Sequence, residues 1–368
     1  TTFGGAVGAT TPVGDGIGPA ITINSTGTTE FGTTVETASG IVQSVGAGTI
    51  TFRDDVTLAA GDTPTDFAES VVLDGLVMNS GGPITFGDAS GDTLTTTLVG
   101  VTINTTDDPV TVNATTDLSA ADLTISTDTG AGNILFNAPV SGSFDLSLAA
   151  GTGNVTFNEA LSGPLGSGTG AAITISSGSS AQFVGTVTTA SGLDITPPVT
   201  FRENVTIGAG DTATTLNGTV TLDGLSVSAG DTINFGDGAG DTVTLSTAAV
   251  SIATTANNGD VVFADATSGA QDLSLTTDGT GQVIFGGDVT VGANAATALV
   301  VDAGGLDLAA DVDLNTSAVP GDISLTVDNL VLATNNTVNA GAANVQLTPQ
   351  TTSFTIEYGD TDTALSTD

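Results

Sequence analysis

The sequence contains no cysteine, histidine or tryptophan, and it has only two cationic side chains. Without cysteine there is neither a disulfide framework nor a thiolate metal site. Without histidine, acid–base catalysis by imidazole is excluded. Two arginines cannot form the basic surface that nucleic-acid binding requires, so nucleic acid is excluded as a partner.

Long apolar runs are also missing. No stretch reaches the roughly 18 apolar residues that cross a bilayer, so we expect no membrane span. The chain does not open with a charged and then apolar signal peptide, and residue 1 is threonine, so we expect a processed product or a segment of a longer polypeptide. Disorder is disfavoured because 39% of the residues are hydrophobic and the mean hydropathy is +0.30.

What the sequence does contain is a long internal repeat. Thr51–Thr57 returns as Thr200–Thr206, a shift of 149 positions, and 24 of the 47 residues from Thr51 to Thr97 are identical to their copies. We therefore predict one long repeat over residues 1–154 and a second over 155–289. Residues 290–368 form divergent coils and a tail, and all three parts are expected to build one continuous rod.

A shorter period lies inside the long one. Phenylalanine recurs at intervals of mostly 18–34 residues, for example at Phe136, Phe157 and Phe183, and each lies in a short alternating segment such as Asn154–Phe157. Clusters of glycine, asparagine, aspartate and serine separate these segments and indicate tight turns. No helical period is present.

These periods predict an all-β fold. One coil of short strands cannot bury its own apolar side, but stacked coils make a continuous core. The prediction is a β-solenoid, in its favoured form a right-handed parallel β-helix with irregular coils of about 18–34 residues. A string of β-sandwich modules is the alternative, although such modules usually bring a buried tryptophan or tyrosine.

Three segments carry a resemblance to a known family. Thr2–Pro12 and Asn154–Leu161 resemble the repeats of giant bacterial β-strand-repeat surface proteins, the filamentous-haemagglutinin-like adhesins, and Asn344–Thr352 resembles their connector segments. The resemblance covers most of the chain and rests on loose motifs. It implies a parallel β-helix, secretion, and a place on the cell surface or in an extracellular fibre.

The motif Ala/Ser-Gly-Asp-Thr occurs five times and has two interpretations. It is typical of a turn in which glycine takes a left-handed conformation and aspartate caps the next strand. The alternative is calcium, because Asp88 and Asp92, with their copies Asp237 and Asp241, lie four apart on one loop, and carboxylates suit a hard cation. We keep these four aspartates as candidate metal ligands, and Ca²⁺ as the candidate ion.

The net charge of −38 adds to the case for cations. Spread over a rod of roughly 70 Å, it approaches the charge density of duplex DNA. Self-repulsion on this scale opposes compaction, so calcium or salt is expected to stabilise the fold. The two arginines, Arg53 and Arg202, occupy the same repeat position, and we expect each to pair with a nearby carboxylate such as Asp54, Asp55 or Glu203.

Repetition without a singular site favours a structural protein over an enzyme. We expect a secreted filament, sheath or adhesin stalk whose copies stack head to tail, with Phe354–Tyr358 as a strand able to dock on a free end. A carbohydrate- or cell-binding adhesin module that recognises cell-surface glycans is the alternative. A polysaccharide-active β-helix enzyme using an aspartate pair is more remote.

Overall fold

A computed structural model of the chain describes residues 1–59, 63–238, 240–292, 297–351 and 355–358. It divides into two compact units: the first comprises Thr1–Gly168 and Ala172–Ala190, and the second comprises Thr169–Ala171 and Ser191–Asp368. Every regular element in the described residues is a β-strand, and none of them forms a helix that could cross a membrane. The all-β prediction is confirmed.

The first unit contains strands β1 (Thr2–Phe3), β2 (Ile21–Ile23), β3 (Thr29–Phe31), β4 (Val35–Thr37), β5 (Ile41–Gln43), β6 (Ile50–Phe52), β7 (Val56–Leu58), β8 (Thr65–Phe67), β9 (Val71–Asp74), β10 (Val77–Ser80), β11 (Ile84–Phe86), β12 (Thr93–Thr97), β13 (Val101–Thr105), β14 (Val110–Val112), β15 (Thr115–Leu118), β16 (Leu123–Ser126), β17 (Ile134–Phe136), β18 (Val140–Gly142), β19 (Leu146–Ala149), β20 (Asn154–Phe157), β21 (Leu161–Leu165), β22 (Ile173–Ser177), β23 (Ser180–Phe183) and β24 (Val187–Thr189).

The second unit contains strands β25 (Leu193–Ile195), β26 (Val199–Phe201), β27 (Val205–Ile207), β28 (Thr214–Leu216), β29 (Val220–Asp223), β30 (Ser226–Ala229), β31 (Ile233–Phe235), β32 (Val243–Ser246), β33 (Val250–Thr254), β34 (Val261–Phe263), β35 (Thr267–Gly269), β36 (Leu273–Thr276), β37 (Gln282–Phe285), β38 (Val289–Val291), β39 (Thr297–Leu308), β40 (Asp313–Asn315), β41 (Asp322–Leu332), β42 (Thr337–Asn339), β43 (Val345–Thr348) and β44 (Thr355–Tyr358).

Each unit is a parallel β-solenoid, which confirms the predicted fold class. In the first unit a strand pairs in parallel with the third strand after it, so that β4, β7, β10 and β13 stack in one sheet and β5, β8, β11 and β14 in another. One coil therefore contributes one strand to each of three sheets. The second unit follows the same rule from β25 to β38.

The coils are more regular than the phenylalanine intervals indicate. In the described strands, paired residues lie between 19 and 28 positions apart: Thr214 and Ile233 are 19 apart, and Ile233 and Val261 are 28 apart. The interval from Phe52 to Phe86 is longer because the two rings belong to different sheets of the solenoid. The right-handed sense of the helix stays a prediction.

Burial alternates along each short strand, as a period of two requires. In β6, Ile50 and Phe52 are fully buried while Thr51 between them lies at the surface, and the same pattern recurs in most strands of both units. Valine and isoleucine fill the inward positions because their β-branched side chains pack well on a pleated sheet. Threonine fills many of the outward ones.

The inward phenylalanines stack because parallel strands lie about 4.8 Å apart, close to the separation of stacked rings. Phe157 lies between Phe136 and Phe183, with ring centroids 4.8 and 4.9 Å apart and interplanar angles of 4° and 6°. The second unit has a comparable stack around Phe263, with centroid distances of 5.0 and 5.1 Å. The inward phenylalanines thus form columns in the continuous core that stacked coils were expected to make.

The last coils of the second unit depart from the three-strand rule. Strand β39 runs for 12 residues and pairs with both β36 and β37, so two sheets merge into one long strand. Strand β41 continues this arrangement and pairs with β43 and β44. The predicted tail strand thus exists over Thr355–Tyr358 and pairs within its own chain, whereas Phe354 lies outside the described residues.

Candidate functional site

The acidic loop of the first unit uses Asp92 as a turn acceptor. One carboxylate oxygen of Asp92, Oδ2, accepts hydrogen bonds from the backbone N–H groups of Asp88 and Ala89, at 3.3 and 3.1 Å. Asp92 is 9% exposed. Partial desolvation raises the pKa of nearby Asp66, and the charge of Asp88 raises it further. This geometry matches the turn interpretation of the motif.

In the copy of this loop in the second unit, two carboxylates act on a third. Burial raises the pKa of the Asp241 carboxyl, and the neighbouring carboxylates of Asp237 and Asp265 raise it further. The Oδ2 atom of Asp265 is buried and has no hydrogen-bond partner in the described structure. The negative charges of Asp237 and Asp265 therefore both act on the Asp241 carboxyl.

Neither loop presents a formed metal site. Within the described ranges, no group of three or more acidic, histidine or cysteine residues has an arrangement that could hold a metal ion. Asp88, Asp92, Asp237 and Asp241 therefore remain candidate calcium ligands by sequence only. Ala60–Asp62, which belong to a further copy of the motif, and Ala239, which opens the copy that contains Asp241, lie outside the described residues.

Many other aspartates have a structural role between coils. Asp55 Oδ1 accepts the backbone N–H of Val77, 22 positions later, and Asp260 Oδ1 accepts that of Gln282. The same contact joins the pairs Asp122 and Asp145, Asp145 and Ser167, Asp288 and Asp313, and Asp322 and Asn344. Each bond links a carboxylate to a backbone amide of a later coil, so these aspartates help to join the stacked coils.

The Arg53 side chain bridges coils rather than neighbours in sequence. Its Nε lies 2.6 Å from Glu30 Oε1, and its Nη1 lies 2.6 Å from Asp74 Oδ2, which is 7% exposed. Arg202 lies 3.6 Å from Asp223. The predicted ion pairs are thus confirmed. For Arg53 the expected partners Asp54 and Asp55 were wrong, because a side chain at the end of a strand reaches the neighbouring coils.

A polar groove of about 400 Å³ lies on the first unit, over strands β7, β10, β13 and β16. Thr57, Asn79, Asn104 and Ser126 are in register and form its floor. The Asn104 Nδ2 group donates a hydrogen bond to Asn79 Oδ1 at 2.9 Å. The wall is formed by residues of the loops that follow these strands, including Thr106 and Asp128.

A second surface feature is the open edge of the first coil. Phe3 stacks on Phe31 with a centroid distance of 4.9 Å, yet it is 40% exposed, whereas Phe31 is 1% exposed. A shallow depression of about 160 Å³ beside it is lined by Phe3, Ile21 and Ile23. The core of the first unit is therefore accessible at this edge.

No protein-family model, curated protein or solved structure matches this chain. Its function therefore has to be inferred from the open edge, the polar groove and the charge. Sequence reasoning did not find the groove, because Asn79 and Asn104 are separated by a full coil and form a pair only once the strand register is known.

Proposed function

We propose that this protein is an extracellular structural protein, a segment of a filament, sheath or adhesin stalk whose copies join end to end. The observation that carries the proposal is the exposed ring of Phe3 above a buried stack. A strand added to this edge would place its own side chains about 4.8 Å above Phe3, as every internal coil does.

The last coils of the second unit offer a surface of similar character. Val345 and Leu347 of β43 are 49% and 39% exposed, although their strand pairs in register with the buried strand β41. Apolar residues on an accessible sheet edge are a template for another chain. Because the edge at Phe3 and the edge at β43 differ, a contact between them in two copies is heterologous, and heterologous contacts that do not close into a ring produce filaments.

The charge is compatible with a secreted fibre. A net charge of −38 opposes side-by-side association of copies, and this repulsion weakens as the salt concentration rises. The proposed end-to-end contact is apolar and does not depend on charge. We therefore expect association along one direction only. Secretion and a position on the cell surface belong to the same proposal.

The test compares Phe3→Ser with Val99→Ser, a matched substitution at a residue that is 66% exposed and lies away from the edge. Light scattering and electron microscopy across a concentration series should show elongated assemblies for the unmodified chain and for Val99→Ser, and monomers for Phe3→Ser. Monodisperse monomers of the unmodified chain at every concentration and salt level would refute end-to-end assembly.

A further inference from the structure

We propose that the polar groove on the first unit binds a neutral, hydroxyl-rich oligosaccharide. Its volume of about 400 Å³ lies within the range of small-ligand sites. This binding activity goes beyond the structural role proposed above and does not depend on end-to-end assembly.

The hydrogen bond between the two asparagines leaves complementary groups for a ligand. Because Asn104 Nδ2 donates to Asn79 Oδ1, the Asn79 amide keeps its Nδ2 donor and the Asn104 amide keeps its Oδ1 acceptor. Sugar hydroxyls both donate and accept, so neighbouring hydroxyls of one ring can satisfy both amides. The hydroxyls of Thr57 and Thr106 add further groups of the same kind.

The charge of the groove disfavours anionic ligands, and its side chains disfavour apolar ones. Asp128 supplies the only charged side chain in the lining, and neither arginine is part of it. An anionic ligand such as a uronate or sulfated glycan would be repelled by this carboxylate and by the net charge of −38. The lining has no aromatic ring and only one large apolar side chain, Leu58, which disfavours an apolar ligand.

The internal repeat provides a comparison within the same chain. At the shift of 149 positions, Ser228 and Ala253 stand where the first unit has Asn79 and Asn104. Strands β30 and β33 pair Ser228 with Ala253, just as β10 and β13 pair the two asparagines. The second unit thus repeats the strand pairing without the amide pair, so we expect one binding site per chain.

The experiment titrates the full chain with neutral tetrasaccharides of glucose, mannose, galactose and N-acetylglucosamine, and with a tetragalacturonate, by isothermal calorimetry. At least one neutral tetrasaccharide should bind with a stoichiometry of one, and the uronate should not bind. The double variant Asn79→Ala/Asn104→Ala should lose about tenfold in affinity, the effect of one or two hydrogen bonds. Ser228→Ala is the matched control and should bind unchanged.

A gain-of-function variant keeps the test decisive if the double alanine variant does not fold. Ser228→Asn/Ala253→Asn should raise the stoichiometry from one to two. The proposal is overturned if no neutral tetrasaccharide binds, if only the uronate or a cationic probe such as spermidine binds, or if the alanine variant binds as well as the unmodified chain. Phe3→Ser should bind normally, which separates this outcome from a failure of end-to-end assembly.

Discussion

Truncating a ring inside the phenylalanine stack should cost far more than truncating the ring at its open edge. Phe157 is 1% exposed and stacks on a ring on each side, at 4.8 and 4.9 Å. Phe157→Ala should lower the free energy of unfolding by about 3–5 kcal/mol, the usual cost of such a cavity. Phe157→Leu keeps most of the buried area and loses two stacking contacts, worth about 1–3 kcal/mol together.

Phe3→Ala is the comparison within the same unit. This ring is 40% exposed and stacks on one neighbour, so its removal should cost about 1–2 kcal/mol. Urea unfolding followed by far-ultraviolet circular dichroism measures all three variants, at a protein concentration where the unmodified chain is monomeric. Equal losses for Phe3→Ala and Phe157→Ala, or no loss for Phe157→Leu, would refute the account of the core as a column of stacked rings.

The remaining predictions concern backbone strain, ion pairs, pH and salt. Gly87 and Gly236 both have φ near +77°, but only at Gly87 would a Cβ come within 3 Å of neighbouring atoms. Gly87→Ala should therefore lower the melting temperature more than Gly236→Ala, and equal shifts would contradict this. Arg53→Ala should lower the melting temperature, since Arg53 bridges two carboxylates, one of them buried; an unchanged midpoint in a calorimetric scan would contradict this. The raised pKa of Asp66 favours its protonated form in the folded state. The contribution of Asp66 to stability is therefore complete below the ordinary pKa of 3.8 and is lost as the pH rises through the folded-state pKa. Asp66→Asn should flatten the dependence of the unfolding free energy on pH in this window. Calcium at millimolar concentration should raise the melting temperature relative to chelator at low ionic strength, and sodium chloride should reproduce the effect if screening is its cause; identical midpoints in calcium and chelator would exclude it.

The fold was predictable from the sequence because its signals are local and repeated. Alternating segments such as Ile50–Phe52 and Asn154–Phe157 indicate which side chains point inward, and the polar clusters between them indicate where the chain turns. The assignment of each strand to a sheet was not predictable from phenylalanine spacing. Phe67, on β8, lies only about 15 residues after Phe52 and so falls outside the expected interval, because the two rings belong to different sheets.

The candidate sites were harder to predict, because they depend on which coils become neighbours. The aspartate motif was visible in the sequence, but it could not show that Asp92 would turn its carboxylate onto the backbone of its own loop. The partner of Arg53 could not be found among adjacent residues, since Glu30 and Asp74 lie more than twenty positions away on either side. The groove over Asn79 required the strand register.

The carboxylates that accept an amide from the following coil give the solenoid a direction. In pairs such as Asp55 with Val77 and Asp322 with Asn344, the acceptor precedes the donor in the chain by about one coil. Glu69 and Asp211 are exceptions, because they accept from Gly46 and Gly170, which precede them. A folded coil therefore presents carboxylate acceptors whose amide donors lie in the next segment of the chain, and that segment can pack onto the coil. Folding that starts at an earlier coil and proceeds in sequence order would use this asymmetry.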